Sequence, residues 1–366
     1  MVRKLVLLFL FCPLLSSSYS SQSDALVGFC WVSPPLSDMT LFEDGFLMAH
    51  HLGCEIEHRQ YNWNEIEREK NVYSWNALDQ WYNTCLKYDI TPSLAVCPVN
   101  SNSTRRNLPK DLEGRPFDDP EVILRFETFT EELFRRYPRI AYVSFGNEIN
   151  YYLRGHPEDY DPYKTMCLSL YTYTRENYPH VKCLVIFGFT GMERKEEEMI
   201  REFLPACDLV GISTYHAAVN VESNTPPHLS EDEMHRTLEY CITLCQGKRA
   251  AIVETCAFSY PDPGYQAEYV HVFFETVREL GNEIEFACWF SLYDWYPGTL
   301  GILDPFLEQF STAGLLTPDG LAKPSYYAWV EEMNQYRGGE VPSPISSALP
   351  VVIILCILFI LVKARE

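Results

Sequence analysis

Eight short runs rich in Val, Ile, Leu, Phe, Tyr and Cys punctuate the chain, at residues 25–33, 54–62, 91–99, 140–148, 182–189, 208–216, 249–257 and 284–292. Most are near-continuously apolar rather than alternating, the pattern of parallel strands buried on both faces. Segments of helical character separate them, at 75–89, 121–137, 160–178, 229–246, 264–280 and 322–336. In 121–137, for example, Val122, Leu124, Phe126, Phe129 and Leu133 are the apolar positions of an otherwise charged stretch. Alternating strand and helix with eight strands predicts a closed parallel barrel or a large doubly wound sheet. No Gly-rich dinucleotide fingerprint follows the first strand, which weakens the open-sheet alternative. The expected fold is therefore α/β, a (β/α)8 TIM barrel formed by one domain over residues 21–337, and no cofactor is implied.

The length of 366 residues suits one such barrel plus targeting segments. Hydrophobic residues at 47% supply a core, and charged residues at 22% exclude a mainly disordered chain. A formal net charge of −21 repels phosphate backbones and argues against a nucleic-acid partner, while remaining compatible with a neutral substrate. The 7 Trp and 24 Tyr can fill a core, or line a groove that stacks on the flat C–H faces of pyranose rings.

Both ends read as targeting segments. Met1-Val-Arg-Lys, an apolar run and Ser18-Tyr19-Ser20 form the pattern of a secretory signal peptide cleaved near Ser20. At the other end, residues 338–344 form a linker. Residues 345–362 then carry no charge over 18 positions and precede a short tail, 363–366. That segment is either a spanning helix or the hydrophobic tail of a GPI signal, and either one anchors the preceding domain to the membrane from outside the cell. Of the 13 Cys, Cys12 and Cys356 fall in these ends, leaving 11, an odd number. No disulfide pattern follows, and neither the Cys nor the 9 scattered His suggest a metal site. Asn102-Ser103-Thr104 is a glycosylation sequon in the loop after the third strand.

Active sites of such barrels lie at the C-terminal ends of the strands. There the sequence places Arg59 with Tyr61, Asn62 and Trp63 on the second strand, and Asn147-Glu148 on the fourth. Tyr215-His216 end the sixth, Glu254 sits on the seventh, and Trp289, Tyr293 and Asp294 are on the eighth. A carboxylate at the end of an apolar strand is costly to bury without purpose. Two of them match the needs of glycosidic cleavage: an acid for the leaving oxygen, and a carboxylate that attacks the anomeric carbon or activates water. Arg59 and Tyr215 are candidates to keep Glu254 ionised, and Asn147 to donate to a sugar 2-hydroxyl; for Arg59 the structural alternative is an ion pair with Glu55 or Glu57. His216 is a candidate substrate contact or an ordinary rim histidine. Trp31, Trp63 and Trp295 are candidates to extend a sugar groove.

Asn147-Glu148, Glu254, Arg59, Tyr215 and Trp289 in these strands resemble the pattern of clan A retaining glycoside hydrolases, over roughly residues 25–335. Residues 61–81 are similar to the clan's strand-two region. The resemblance implies that Glu148 is the acid/base and Glu254 the nucleophile, and that Trp289 floors the subsite of the cleaved sugar. Gly146-Asn147-Glu148 is also similar to the Gly-Asn-Glu of endo-β-1,4-galactanases and some β-mannanases. The expected partner is a β-linked polysaccharide or oligosaccharide. The rivals are a non-catalytic carbohydrate-binding barrel, since fold does not guarantee function, and a transglycosylase using the same residues.

Overall fold

Strands that are apolar on both faces need cover on both, and a closed barrel inside a ring of helices provides it. The computed structural model describes residues 25–34, 39–100, 106–189, 194–216, 229–298 and 308–338. Within them the eight apolar runs form β1 (Leu26–Cys30), β2 (Ile56–Asn62), β3 (Thr91–Cys97), β4 (Tyr142–Ser144), β5 (Lys182–Phe189), β6 (Leu209–His216), β7 (Ala250–Ala257) and β8 (Ile284–Phe290). All pair in parallel with their sequence neighbours, and β1 pairs with β8 to close the barrel.

The six expected helices are present, as Asn76–Lys87, Pro120–Arg136, Tyr160–Asn177, Glu231–Thr243, Pro263–Glu279 and Pro324–Arg337. Pro120–Arg136 shows why one starts where it does. Pro120 occupies the first turn, where its missing N–H costs nothing, and the Asp119 carboxylate accepts from Glu121 N at 2.8 Å. Four α-helices among the described residues were not expected: Met39–His51, the single turn Trp63–Ile66, Ile149–Gly155 and Arg194–Phe203. A two-stranded hairpin, Glu67–Glu69 with Val72–Tyr73, is also additional.

Side chains on each strand alternate between the lumen and the helix layer. Phe29 stacks on Trp329 at 4.6 Å, and Trp289 packs against Tyr269 at 5.7 Å and Phe273 at 6.1 Å, so all five belong to the layer between strands and helices. Near the N-terminal ends of the strands, buried Glu285 accepts from Tyr142 Oη at 2.8 Å, from Arg249 Nη1 at 2.6 Å and from Lys182 Nζ. This cluster joins β4, β5, β7 and β8 at the end opposite to the candidate site.

Among the described residues, no helix is long and apolar enough to cross a membrane. The signal segment 1–20, the glycosylation sequon at Asn102 and residues 339–366, with the anchor segment 345–362, lie outside the described residues. Among the described residues, all 11 cysteines are buried and none is paired with another.

Candidate active site

The expected fourth strand, 140–148, is much shorter in the structure, because its last residues turn. Gly146 has φ +150°, and a Cβ there would lie 2.1 Å from the Tyr163 hydroxyl. That hydroxyl donates to the Phe145 carbonyl at 2.5 Å, which locks the turn. Glu148 then adopts a left-handed conformation, φ 44° and ψ 48°. This backbone costs a residue with a Cβ about 1–2 kcal/mol. Strain of this kind is concentrated at functional positions. The turn aims the Glu148 side chain at the strand ends, where Ser213 Oγ of β6 lies 2.5 Å from Glu148 Oε1.

Glu254 lies on β7 and is buried. The Tyr215 phenol donates to its Oε2 and the Gln60 side-chain amide to its Oε1. The Cys30 thiol at the end of β1 is a further hydrogen-bond partner. Burial is the main cause of a raised Glu254 pKa, and the nearby Glu148 charge adds to it, while the hydrogen bonds of Tyr215, Gln60 and Cys30 oppose both. The charge on each of these two buried carboxylates therefore disfavours ionisation of the other. The donors from Tyr215 and Gln60 favour placing the charge on Glu254. The same surroundings push the Tyr215 phenol well above its usual range, through burial first and the charges of Glu254 and Glu148 next, so it stays a donor.

Arg59 does not join them. Its guanidinium pairs with buried Glu57, with Nε 2.9 Å from Oε1, and lies 4.3 Å from the Trp31 ring centroid and 5.7 Å from that of Phe42. Glu57 also accepts from Trp81 of helix Asn76–Lys87. Arg59 therefore faces the helix layer, where it is paired with Glu57. The adjacent Gln60 takes the lumen side of β2. Asn147 Nδ2 donates to Gln60 Oε1 at 3.0 Å, so the amide bridges Asn147 and Glu254.

Trp289 is likewise not at the site: it is fully buried in the helix layer and its Nε1 donates to the Ala313 carbonyl at 3.0 Å. The neighbouring Phe290, joined to Ser291 by a cis peptide, takes the rim position. Its ring is 5.7 Å from Tyr215 and 6.2 Å from Trp295, and Phe310 sits 4.8 Å from Tyr215. These rings make an aromatic wall beside Glu254. Trp63 is fully buried, stacked on Phe126 at 4.3 Å, and belongs to the core rather than a groove. Trp31 and Trp295 are partly exposed. Asp294 is held by Lys323 at 2.8 Å, a buried pair that fastens the segment after β8. His216 ends β6, with its side chain outside the described residues.

The residues that sequence reasoning missed are Gln60, Ser213, Cys30, Phe290 and Phe310. For Gln60 and Phe290 the sequence signal is only their adjacency to Arg59 and Trp289. A group of potential metal ligands, His156, Glu158 and Asp159, lies elsewhere, with ligand atoms within 4.8 Å of one another. Asp159 already accepts from Arg106 Nε at 3.0 Å and from Tyr152 Oη at 2.5 Å, which leaves a weak donor set for a cation.

No family model matches the chain, and no curated protein matches it in sequence. Solved structures do. A GH5_18 structure from Streptomyces cattleya in complex with GlcNAc is 16% identical at a TM-score of 0.69, covering 88% of this chain and 83% of that one. A GH5_18 variant from Streptomyces cattleya in complex with Manb1-4GlcNAc is 15% identical at a TM-score of 0.68, covering 87% of this chain and 83% of that one. An exo-beta-1,4-mannosidase from Opitutaceae bacterium strain TAV5 is 16% identical at a TM-score of 0.64, covering 85% of this chain and 59% of that one. What is shared at these identities is the fold, and in fold this chain resembles glycoside hydrolases of families 5 and 39.

Proposed function

We propose that the chain is a glycoside hydrolase that cleaves a β-linked oligosaccharide or polysaccharide by double displacement. The observation that carries this reading is the pair of buried carboxylates, Glu148 and Glu254, electrostatically coupled at the C-terminal ends of β4 and β7. Glu148 is the acid. It gives its proton to the glycosidic oxygen as the C–O bond breaks, while the Glu254 carboxylate forms a bond to the anomeric carbon. In the second step Glu148, now a carboxylate, takes a proton from water. The water oxygen displaces Glu254 and regenerates the pair. Tyr215 and Gln60 hold Glu254 in its attacking orientation. The aromatic wall of Phe290, Phe310 and Trp295 offers the sugar an apolar face, and the acidic chain suits a neutral substrate.

The substrate class this reading favours is a β-mannoside, since two of the similar structures are described with Manb1-4GlcNAc or as an exo-beta-1,4-mannosidase. The signal and anchor segments of the sequence support action at the outer cell surface. The test is incubation of the full chain with Manb1-4GlcNAc and with β-linked mannans, galactans, glucans and xylans, alongside Glu254→Gln. Free sugar from the wild type and none from the variant supports hydrolysis, and sugar moved to an acceptor favours a transglycosylase. Binding without any product from either protein contradicts the enzymatic reading.

A further inference from the structure

The lumen side of β2 presents a neutral amide to Glu254, whereas the cation one residue away is turned into the helix layer and neutralised by Glu57. The polarity of the resulting chain is forced. Glu254, when ionised, only accepts, so Gln60 must offer Nε2 to it and keep Oε1 as an acceptor. Asn147 must then offer Nδ2 to Gln60, as it does at 3.0 Å. This leaves Asn147 Oδ1 buried without a hydrogen-bond partner among the described residues. A buried carbonyl oxygen without a donor is costly, and a ligand hydroxyl is the group that would relieve it.

We propose that Gln60 is a positioning residue of this site: its amide ties Glu254 to Asn147, fixes the orientation of both, and so makes Asn147 present an acceptor to a sugar hydroxyl. The proposal rests on the glycosidase reading for its purpose, but the relay itself is testable without turnover. Its role differs from that of a cation in the same place. An amide orients the carboxylate and supplies one hydrogen bond without adding a full positive charge. The groups that face Glu254 from other elements are Glu148 after β4, Tyr215 of β6 and Cys30 of β1. The Cys97 and Cys288 thiols also feel its charge.

The experiment is a carboxyl 13C titration of the full chain labelled at glutamate, with the Glu254 signal identified by its loss in Glu254→Gln. Gln60→Met removes the donor and should move the Glu254 midpoint up by about one unit, the worth of one hydrogen bond to a charged group. Gln60→Arg adds a cation and should move it down. Thermal melting verifies that each variant is folded, and either folded variant suffices. If Asn147 acts through Gln60, Gln60→Met combined with Asn147→Leu shifts the midpoint no further than Gln60→Met alone. A midpoint that ignores both Gln60 variants, or additive effects of the two positions, overturns the relay. If the midpoint responds as expected while the wild type cleaves none of the β-linked sugars, the relay stands and the glycosidase reading falls.

Discussion

Replacing Tyr215 by Phe removes one hydroxyl and leaves the ring, which is packed 4.8 Å from Phe310 and 5.7 Å from Phe290. The lost interaction is a donor bond to a charged carboxylate, worth about 1.5–3 kcal/mol. If Tyr215 supports the attacking form of Glu254, kcat/KM on a β-linked substrate should fall roughly 10- to 150-fold. The pH profile carries a second and independent signature. Glu254 is already raised, by burial first and by Glu148 next, and Tyr215 is one of the groups holding it down. Without the phenol its pKa rises further, so a higher pH is needed to ionise it. The acidic limb of the kcat/KM profile should move to higher pH by about one unit. Steady-state rates across pH, with thermal melting as a control for folding, measure both. An activity loss with an unmoved acidic limb would refute the argument that Tyr215 acts on the ionisation of Glu254.

Three other outcomes follow from the same geometry. Glu148→Gln should slow cleavage of sugars with poor leaving groups by about 10²- to 10⁴-fold and spare activated aryl glycosides by comparison, which parallel kinetics on the two substrate types would reveal. Glu285→Ala should destabilise the barrel by about 1–2 kcal/mol, because Lys182 and Arg249 lose the partner at the centre of their cluster but are exposed enough for water to take its place, and should leave KM unchanged. Burial raises the Glu285 pKa, but Lys182, Tyr142 and Arg249 more than offset this and its net shift is downward. The stability it contributes is therefore present above the unfolded carboxylate range and is lost as pH falls through the folded value, which denaturation curves in mild acid would detect. Trp289→Ala should cost about 3–5 kcal/mol of stability by opening a cavity against Tyr269 and Phe273, with substrate affinity of the remaining folded protein unaltered.

Element type was legible in the chain because burial on both faces writes an apolar run for each strand, and eight such runs leave few architectures. The same property hid the parity of the strands. An alternating strand announces which residues face which side, but a parallel strand that is apolar throughout does not, so the sequence points to Arg59 and Trp289 where the structure puts Gln60 and Phe290. Each miss is one residue, and each places the chosen side chain in the helix layer. Glu148 and Glu254 were easier to single out, because a carboxylate in an apolar run stands out whatever the parity. The turn at Gly146 was not legible, since residues 140–145 read as a continuous strand and the break depends on Tyr163, from a helix further along the chain. Helix Met39–His51 is poorly legible because apolar Leu41 and Leu47 share its exposed face with Asp44, His50 and His51, so its polar and apolar positions do not separate.

The central claim is that Glu254 forms a bond to the sugar. A mechanism-based 2-deoxy-2-fluoro β-mannoside with a good leaving group slows the second displacement, so the covalent species accumulates. Peptide mass spectrometry of the inactivated full chain should then find one fluoro-sugar on Glu254, and none when Glu254→Gln is treated in the same way. A chain that cleaves β-mannosides yet carries the label on another residue, or that acquires none while turning the inhibitor over, would contradict the assignment of Glu254 as nucleophile.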